Sequence, residues 1–124
     1  DRTEKHDIDT LDDSVKDFIL GLNPVSYKFN DGTSGRTHFG MIAQEVEALM
    51  EEQGLSSMDF AGFIKSPKVE IARDAGGTVI GEKTIENEYL YGLRYEEFIA
   101  PLIKTVQLQQ REIDALAEQI KDRE

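Results

Sequence analysis

Cysteine is absent from these 124 residues, so neither a disulfide framework nor a thiolate metal site is available to the fold. That absence fits manufacture in a reducing cytoplasm. No apolar run approaches the ~20 residues that a membrane-spanning helix requires. No basic region followed by an apolar stretch opens the chain, so neither membrane insertion nor a secretory signal is expected. Basic residues are scarce too: 14 Lys and Arg stand against 25 Asp and Glu, a formal net charge of −11. Such a chain repels phosphates, which argues against nucleic acid and anionic membranes and favours proteins as partners. A glycine-rich phosphate loop, an HExxH pair and a Cys/His cluster are all missing, and two histidines, His6 and His38, are too few for a metal site. No metal and no cofactor is expected.

What is present fits one domain, residues 1–124, with hydrophobic residues at 39% and charged residues at 31%, the proportions of a soluble protein with a lean core. After a polar opening over residues 1–9, "DTLDDSVKDFILGLNP" sets Leu11, Val15, Phe18, Ile19 and Leu22 at helical spacing, with Thr10 as expected N-cap and Asp12 and Asp13 in the first turn. Gly21 and Asn23-Pro24 end that helix. "VSYKF" alternates Val25, Tyr27 and Phe29 on one face and runs into the turn residues "NDGTSG", which predicts a half-buried strand and a loop. From "HFGMIAQEVEALMEEQG" a brief extended entry at His38 to Gly40 leads into a helix burying Ile42, Val46, Leu49 and Met50, stopped by Gly54. Residues 10–57 thus read as a helix-strand-helix body.

Between Phe60 and Tyr91 short β-prone pieces are punctuated by "SP" and "DAGG", which predicts hairpins with Gly76-Gly77 at a tip. Large apolar residues are sparse there, so residues 58–92 are expected to project as an arm. The final segment, 93–124, carries the strongest pattern. Written as heptads, Ile99, Val106, Ile113 and Ile120 fall at a while Leu102, Gln109 and Leu116 fall at d, the seam of a coiled coil. Pro101 inside that pattern predicts a bend or helix restart near Ile99. Beyond Gln110 only the narrow seam remains among charged residues, whereas a helix lying on its own globular body usually shows a wider apolar stripe. The periodicity therefore calls for an oligomer and leaves the number of chains open.

Chemistry has one place to sit. A lysine near a hydroxyl nucleophile serves as general base when burial lowers its pKa, as in Ser/Lys dyads. Lys5, in "DRTEKHDI", has no serine close by in this chain, and composition alone makes it an ordinary surface lysine.

Four stretches, in this order, resemble the C-terminal intramolecular chaperone domains, self-cleaving peptidases, of bacteriophage tailspikes and tail fibres, endosialidase spikes included. They are "DRTEKHDI", similar to a Ser-Asp-x-x-x-Lys-x-x-Ile start; "LNPVSYKF", similar to a Leu-x-Pro-x-x-Tyr-x-aromatic strand; "HFGMIAQEVE", similar to a Gly-apolar-Ile-Ala-Gln-Glu-Val signature; and "LRYEEFIAPLIKTVQLQQ", like a Tyr-led terminal helix. The resemblance implies an α+β fold: a small helix/strand body, a projecting β-hairpin arm and a long C-terminal helix forming a homotrimeric coiled coil. It implies a domain that guides folding of an upstream fibre or spike segment of the same polypeptide. Release then follows by cutting between a serine and Asp1, with Lys5 activating the serine. Asp1 is the first residue after that cut, and because the serine is not in this chain, the chain corresponds to the inactive released product. Gln44 and Glu45 fall in the signature, where a structural role, capping or bonding between protomers, is favoured over a chemical one. The setting implied is the host bacterial cytoplasm during virion assembly, with the domain then shed from the mature fibre. The alternative is a trimerised tip that is not shed and contacts a receptor or another virion protein; a hydrolase acting on external substrates lacks any supporting signature.

Overall fold

The computed structural model describes residues 1–123. Two small antiparallel sheets and three helices make an α+β chain: α1 (Val15–Gly21), β1 (Val25–Tyr27), β2 (His38–Gly40), α2 (Ala43–Glu52), β3 (Phe63–Arg73), β4 (Val79–Leu93) and α3 (Ile99–Lys121). The expected terminal segment 93–124 ends on Glu124, which lies outside the described residues.

The first helix starts later than its apolar spacing suggests. Asp12 accepts a hydrogen bond from the Ser14 backbone N–H at 2.8 Å, holding residues 12–14 in a turn, so the helix begins at Val15 and Thr10 does not cap it. Leu11 accordingly stays exposed, while Phe18 is buried. The strand from Val25 ends at Tyr27, short of Phe29, which is exposed and packs edge-on against Tyr27. Its partner is β2, in register Val25 to Gly40 and Tyr27 to His38. α2 begins after Ile42, which is exposed rather than buried because it occupies the extended cap position outside the helix. Its other end is closed by two backbone bonds, Leu55 N–H to Met50 C=O at 2.8 Å and Gly54 N–H to Glu51 C=O at 3.1 Å. This is a Schellman cap, and it needs the positive φ of Gly54, 71°.

The core is small: Phe18, Val46, Met50, Phe63 and Phe98 are its buried hydrophobic residues. Phe18, Phe60 and Phe98 form an aromatic cluster with edge-on contacts at 5.2 and 4.9 Å between ring centroids. Such pairs contribute roughly 0.5–1.5 kcal/mol beyond the area they bury.

In place of several hairpins, residues 63–93 form one long β3–β4 hairpin. An eleven-residue strand at ~3.3 Å per residue reaches about 36 Å. Its ladder is interrupted where Pro67, with no N–H to donate, pairs with Tyr89 and the next pair is Val69 with Thr84. The base is fixed to the body by buried Phe63, by the Lys65–Glu47 ion pair at 2.9 Å and by the Arg94 N–H donating to Gly62 C=O at 2.8 Å. Nearly every residue from Lys65 to Leu90 is exposed. At the tip, the Asp74 carboxylate accepts from the Gly76 and Thr78 N–H groups, and Gly77 supplies φ 85°.

The terminal helix restarts as its proline requires. A 3-10 turn over Tyr95–Phe98 gives way to α3 at Ile99, which places Pro101 in the first helical turn, where a backbone N–H has no intrahelical acceptor. One face, Pro101 and Thr105, is buried against α1, and the Thr105 hydroxyl is satisfied by donating to Pro101 C=O at 2.9 Å. The Lys104–Asp13 pair at 3.5 Å and the Lys16–Glu112 pair flank that contact. Everything described from Gln109 onward is exposed.

The chain as a whole exposes 10090 Å². A compact monomer of 14.0 kDa exposes about 6,700 Å² on the usual area scaling. The arm and the free length of α3 account for the difference in shape.

Candidate functional site

Residues 1–14 carry the only sequence signal for chemistry, and all of them precede the first α-helix and the first strand. Asp1 caps a short 3-10 turn over Arg2–Glu4: its carboxylate accepts from the Thr3 N–H at 2.9 Å and from the Thr3 hydroxyl at 2.8 Å. Lys5 closes that turn, donating its backbone N–H to Arg2 C=O while its own backbone is extended. Its side chain is exposed, and among the described residues no carboxylate pairs with it. Asp7 then takes a left-handed conformation, φ 52°, which turns the chain before exposed Ile8. Asp1 and Lys5 are thus presented at either end of one turn, on the surface.

Gln44 and Glu45 lie in the first turn of α2, away from that segment. Glu45 accepts a hydrogen bond from the Asn23 side-chain amide at 3.1 Å, tying the start of α2 to the loop before Pro24, and its charge is favourable at a helix N-terminus. Both side chains are exposed.

The signature stretch has a physical explanation that spacing does not reveal. The Met41 N–H donates to the Tyr95 hydroxyl at 3.2 Å, and a Cβ on Gly40 would stand 2.4 Å from that same oxygen. Gly40 is therefore glycine because Tyr95, at the entry to α3, reaches across it. That contact joins the β2–α2 junction to the start of the terminal helix. Only the quoted Tyr in "LRYEEF" hinted at it. Lys65 was equally invisible in the sequence: the Glu47 carboxylate raises its pKa above the ordinary lysine value, and the ammonium lies 4.4 Å from the Tyr89 ring centroid.

The seven seam positions are brought onto one face of α3, beside the flank on which Pro101 and Thr105 pack against α1. Ile99, Leu102, Val106, Ile113, Leu116 and Ile120 are 51–63% exposed, and Gln109 is exposed with them. Beside the first seam residues opens an apolar groove of about 660 Å³, lined by Leu22, Val25, Phe39, Met41, Phe98 and Leu102 among others. Among the described residues, no group of three or more His, Asp or Glu could hold a metal, and no helix is long and apolar enough to cross a membrane.

The architecture is an open α+β fold in which a small body carries a hairpin and a helix whose apolar face nothing in the same chain covers. Comparison with known proteins places it. The family described as chaperone of endosialidase, a peptidase family, matches residues 1–55. A solved structure of a novel intramolecular chaperone is similar over 90% of this chain and 98% of its own, at 27% identity and a TM-score of 0.66. The carboxy-terminal domain of the bacteriophage T5 L-shaped tail fibre, solved with its intramolecular chaperone domain, shares the fold over 94% of this chain at 21% identity and a TM-score of 0.55; the match spans 31% of that longer chain. No curated protein matches. The family match takes in the first three of the four motifs and leaves the fourth, residues 93–110, outside it.

Proposed function

We propose that this chain is a C-terminal intramolecular chaperone domain of a phage tail fibre or tailspike that works as a homotrimer and is released by autoproteolysis. The likeness to chaperone-of-endosialidase sequences and to intramolecular chaperone structures supports the chaperone reading. One observation carries the assembly: the a and d residues of α3 stand exposed on a single face over some six turns, while α1 packs only on the neighbouring flank near the start of the helix, at Pro101 and Thr105. Three copies joined along that face hold three upstream segments in register at high local concentration. That lowers the entropic cost of pairing strands that come from distant or different chains, the slow and aggregation-exposed step in building a β-rich fibre. The hairpin arm, rooted by Phe63 and Lys65 and free beyond, is suited to contact the segment being folded.

Cleavage is the finer part of the proposal. A serine preceding Asp1 would supply the hydroxyl, neutral Lys5 would accept its proton and pass it to the Asp1 nitrogen, which leaves as the new amine, and water would then hydrolyse the ester formed to release the upstream carboxylate. Direct attack by the serine on its own carbonyl closes a strained small ring, so the attack runs across chains or through a water. Lys5 stands exposed in the single chain, so the desolvation that favours its neutral form has to come from a neighbouring copy. Cutting would thereby follow assembly, as a checkpoint, in the host cytoplasm where virions are built. The test is a chain extended upstream through the serine. It should be cut before Asp1 and yield a trimeric fragment, whereas Lys5→Ala should stay uncut and still trimeric on gels and in light scattering. Normal cutting of Lys5→Ala removes the lysine from the mechanism. An unaltered extended chain that trimerises but stays whole favours a retained tip that binds a receptor or another virion protein.

A further inference from the structure

Ile103 does not belong to the seam. It falls at heptad position e, one residue past Leu102, and is 53% exposed, whereas the next two e positions, Gln110 and Ala117, carry no large apolar side chain. On the opposite flank of the seam the g positions are Phe98, Thr105, Glu112 and Gln119. Only the first is a large hydrophobe, and beside it a groove opens, walled by Phe98 at the end of the 3-10 turn, by Leu102 of α3 and by Leu22, Val25, Phe39 and Met41 of the body. Phe39, on its rim, is 87% exposed.

In parallel helices packed through a and d, the g residue of one helix lies beside the e residue of the following heptad in its neighbour. Phe98 and Ile103 stand in that relation, five residues apart. In a closed ring each chain presents its e flank to the g flank of the next, a head-to-tail contact repeated at every interface. The one large apolar e residue of α3 and the apolar groove beside Phe98 therefore meet in the register that the seam itself imposes.

We propose that Ile103 of one copy inserts into the Leu22–Val25–Phe39–Phe98 groove of the adjacent copy, so that the folded body, and not the coiled coil alone, forms part of the interface between chains. The occupant of the groove is a second copy of this chain. This inference rests on the parallel assembly proposed above and specifies where the body joins it. A consequence is that assembly requires a folded body: the groove exists only once α1, β1 and β2 have closed against Phe98.

The experiment places the photoreactive residue p-benzoylphenylalanine at position 103 in one population, mixes it with isotope-labelled unaltered chain, and maps cross-links between the two by mass spectrometry. Links from position 103 to residues 19–41 of the labelled chain are expected. An oligomer whose links run only to α3 residues of the other copy overturns the insertion while leaving the coiled coil standing. A single chain at tens of micromolar overturns both. A second variant, Ile103→Gln, should keep the far-ultraviolet dichroism of the unaltered chain but weaken association by at least about tenfold, given the burial that an Ile side chain forfeits. Unchanged association would contradict the contact independently of any cross-link.

Discussion

Residues 15–63 and the parts that extend from them handle their apolar side chains in opposite ways. In the body Phe18, Val46, Met50 and Phe63 meet one another and Phe98, and among the described residues no buried side-chain polar atom lacks a partner. In α3 beyond its first two turns, and in the arm beyond Ser66, Ile and Val residues stand in solvent. The body closes on itself; the helix and arm are unfinished surfaces. The contrast teaches that the body's task within one chain is to aim two projecting elements. Its most telling contacts, the Gly40–Tyr95 crossing and the α1–α3 packing, both fix the direction in which α3 leaves.

The difference can be broken most forcefully at the seam. Leu116→Glu places a charge on the helix face with no body contact, so it should abolish association, raising the dissociation constant by at least about 100-fold through lost burial and mutual repulsion. The body's thermal transition should persist. Light scattering on the eluted species checks the first result and calorimetry the second; an undisturbed oligomer would mean that the seam is not the interface.

Gly40→Ala tests the aiming contact. A methyl group 2.4 Å from the Tyr95 hydroxyl cannot fit without movement, which should cost about 1–3 kcal/mol in urea unfolding. Tyr95→Phe added to it removes the clashing oxygen and should recover part of that loss. If the two effects simply add, the crossing does not constrain this junction.

The smallest effect concerns a cap inside the body. The Ser56 N–H and hydroxyl hold the Asp59 carboxyl below its ordinary value of 3.8, by hydrogen bonds to the charged form. A lowered folded-state value means that this stabilisation is complete above the ordinary value and fades as pH falls through the folded one. Unaltered chain and Asp59→Ala should therefore differ in melting temperature at neutral pH and converge in acid. A gap that persists unchanged at low pH would assign the difference to packing.

Much of this was legible in the residues, and the reasons for the exceptions are local. The apolar stripe at a and d was legible because heptad spacing depends on sequence alone, and Pro101 marked the restart at Ile99 because a missing N–H has only one comfortable place in a helix. The α1 start was misplaced because Asp12 competes for the backbone with its side chain, which apolar periodicity does not register. Ile42 was misread as core because it sits at an extended cap, one residue before helical geometry begins. Separate hairpins were expected because Gly and Pro punctuate the arm; the ladder instead carries on across Pro67 after a shift in register. At the terminus, the motif could mark Asp1 and Lys5 as candidates, but whether a lysine acts as a base is set by its surroundings, and in one chain Lys5 is exposed. The groove beside Phe98 joins α1, both short strands and α3, so no window of sequence contains it.

Sedimentation equilibrium of the unaltered chain tests the central claim most directly. Across tens of micromolar the account predicts a species of three times 14.0 kDa that dissociates cooperatively on dilution. A stable particle of 14.0 kDa throughout that range, with α3 still fully helical, would contradict it.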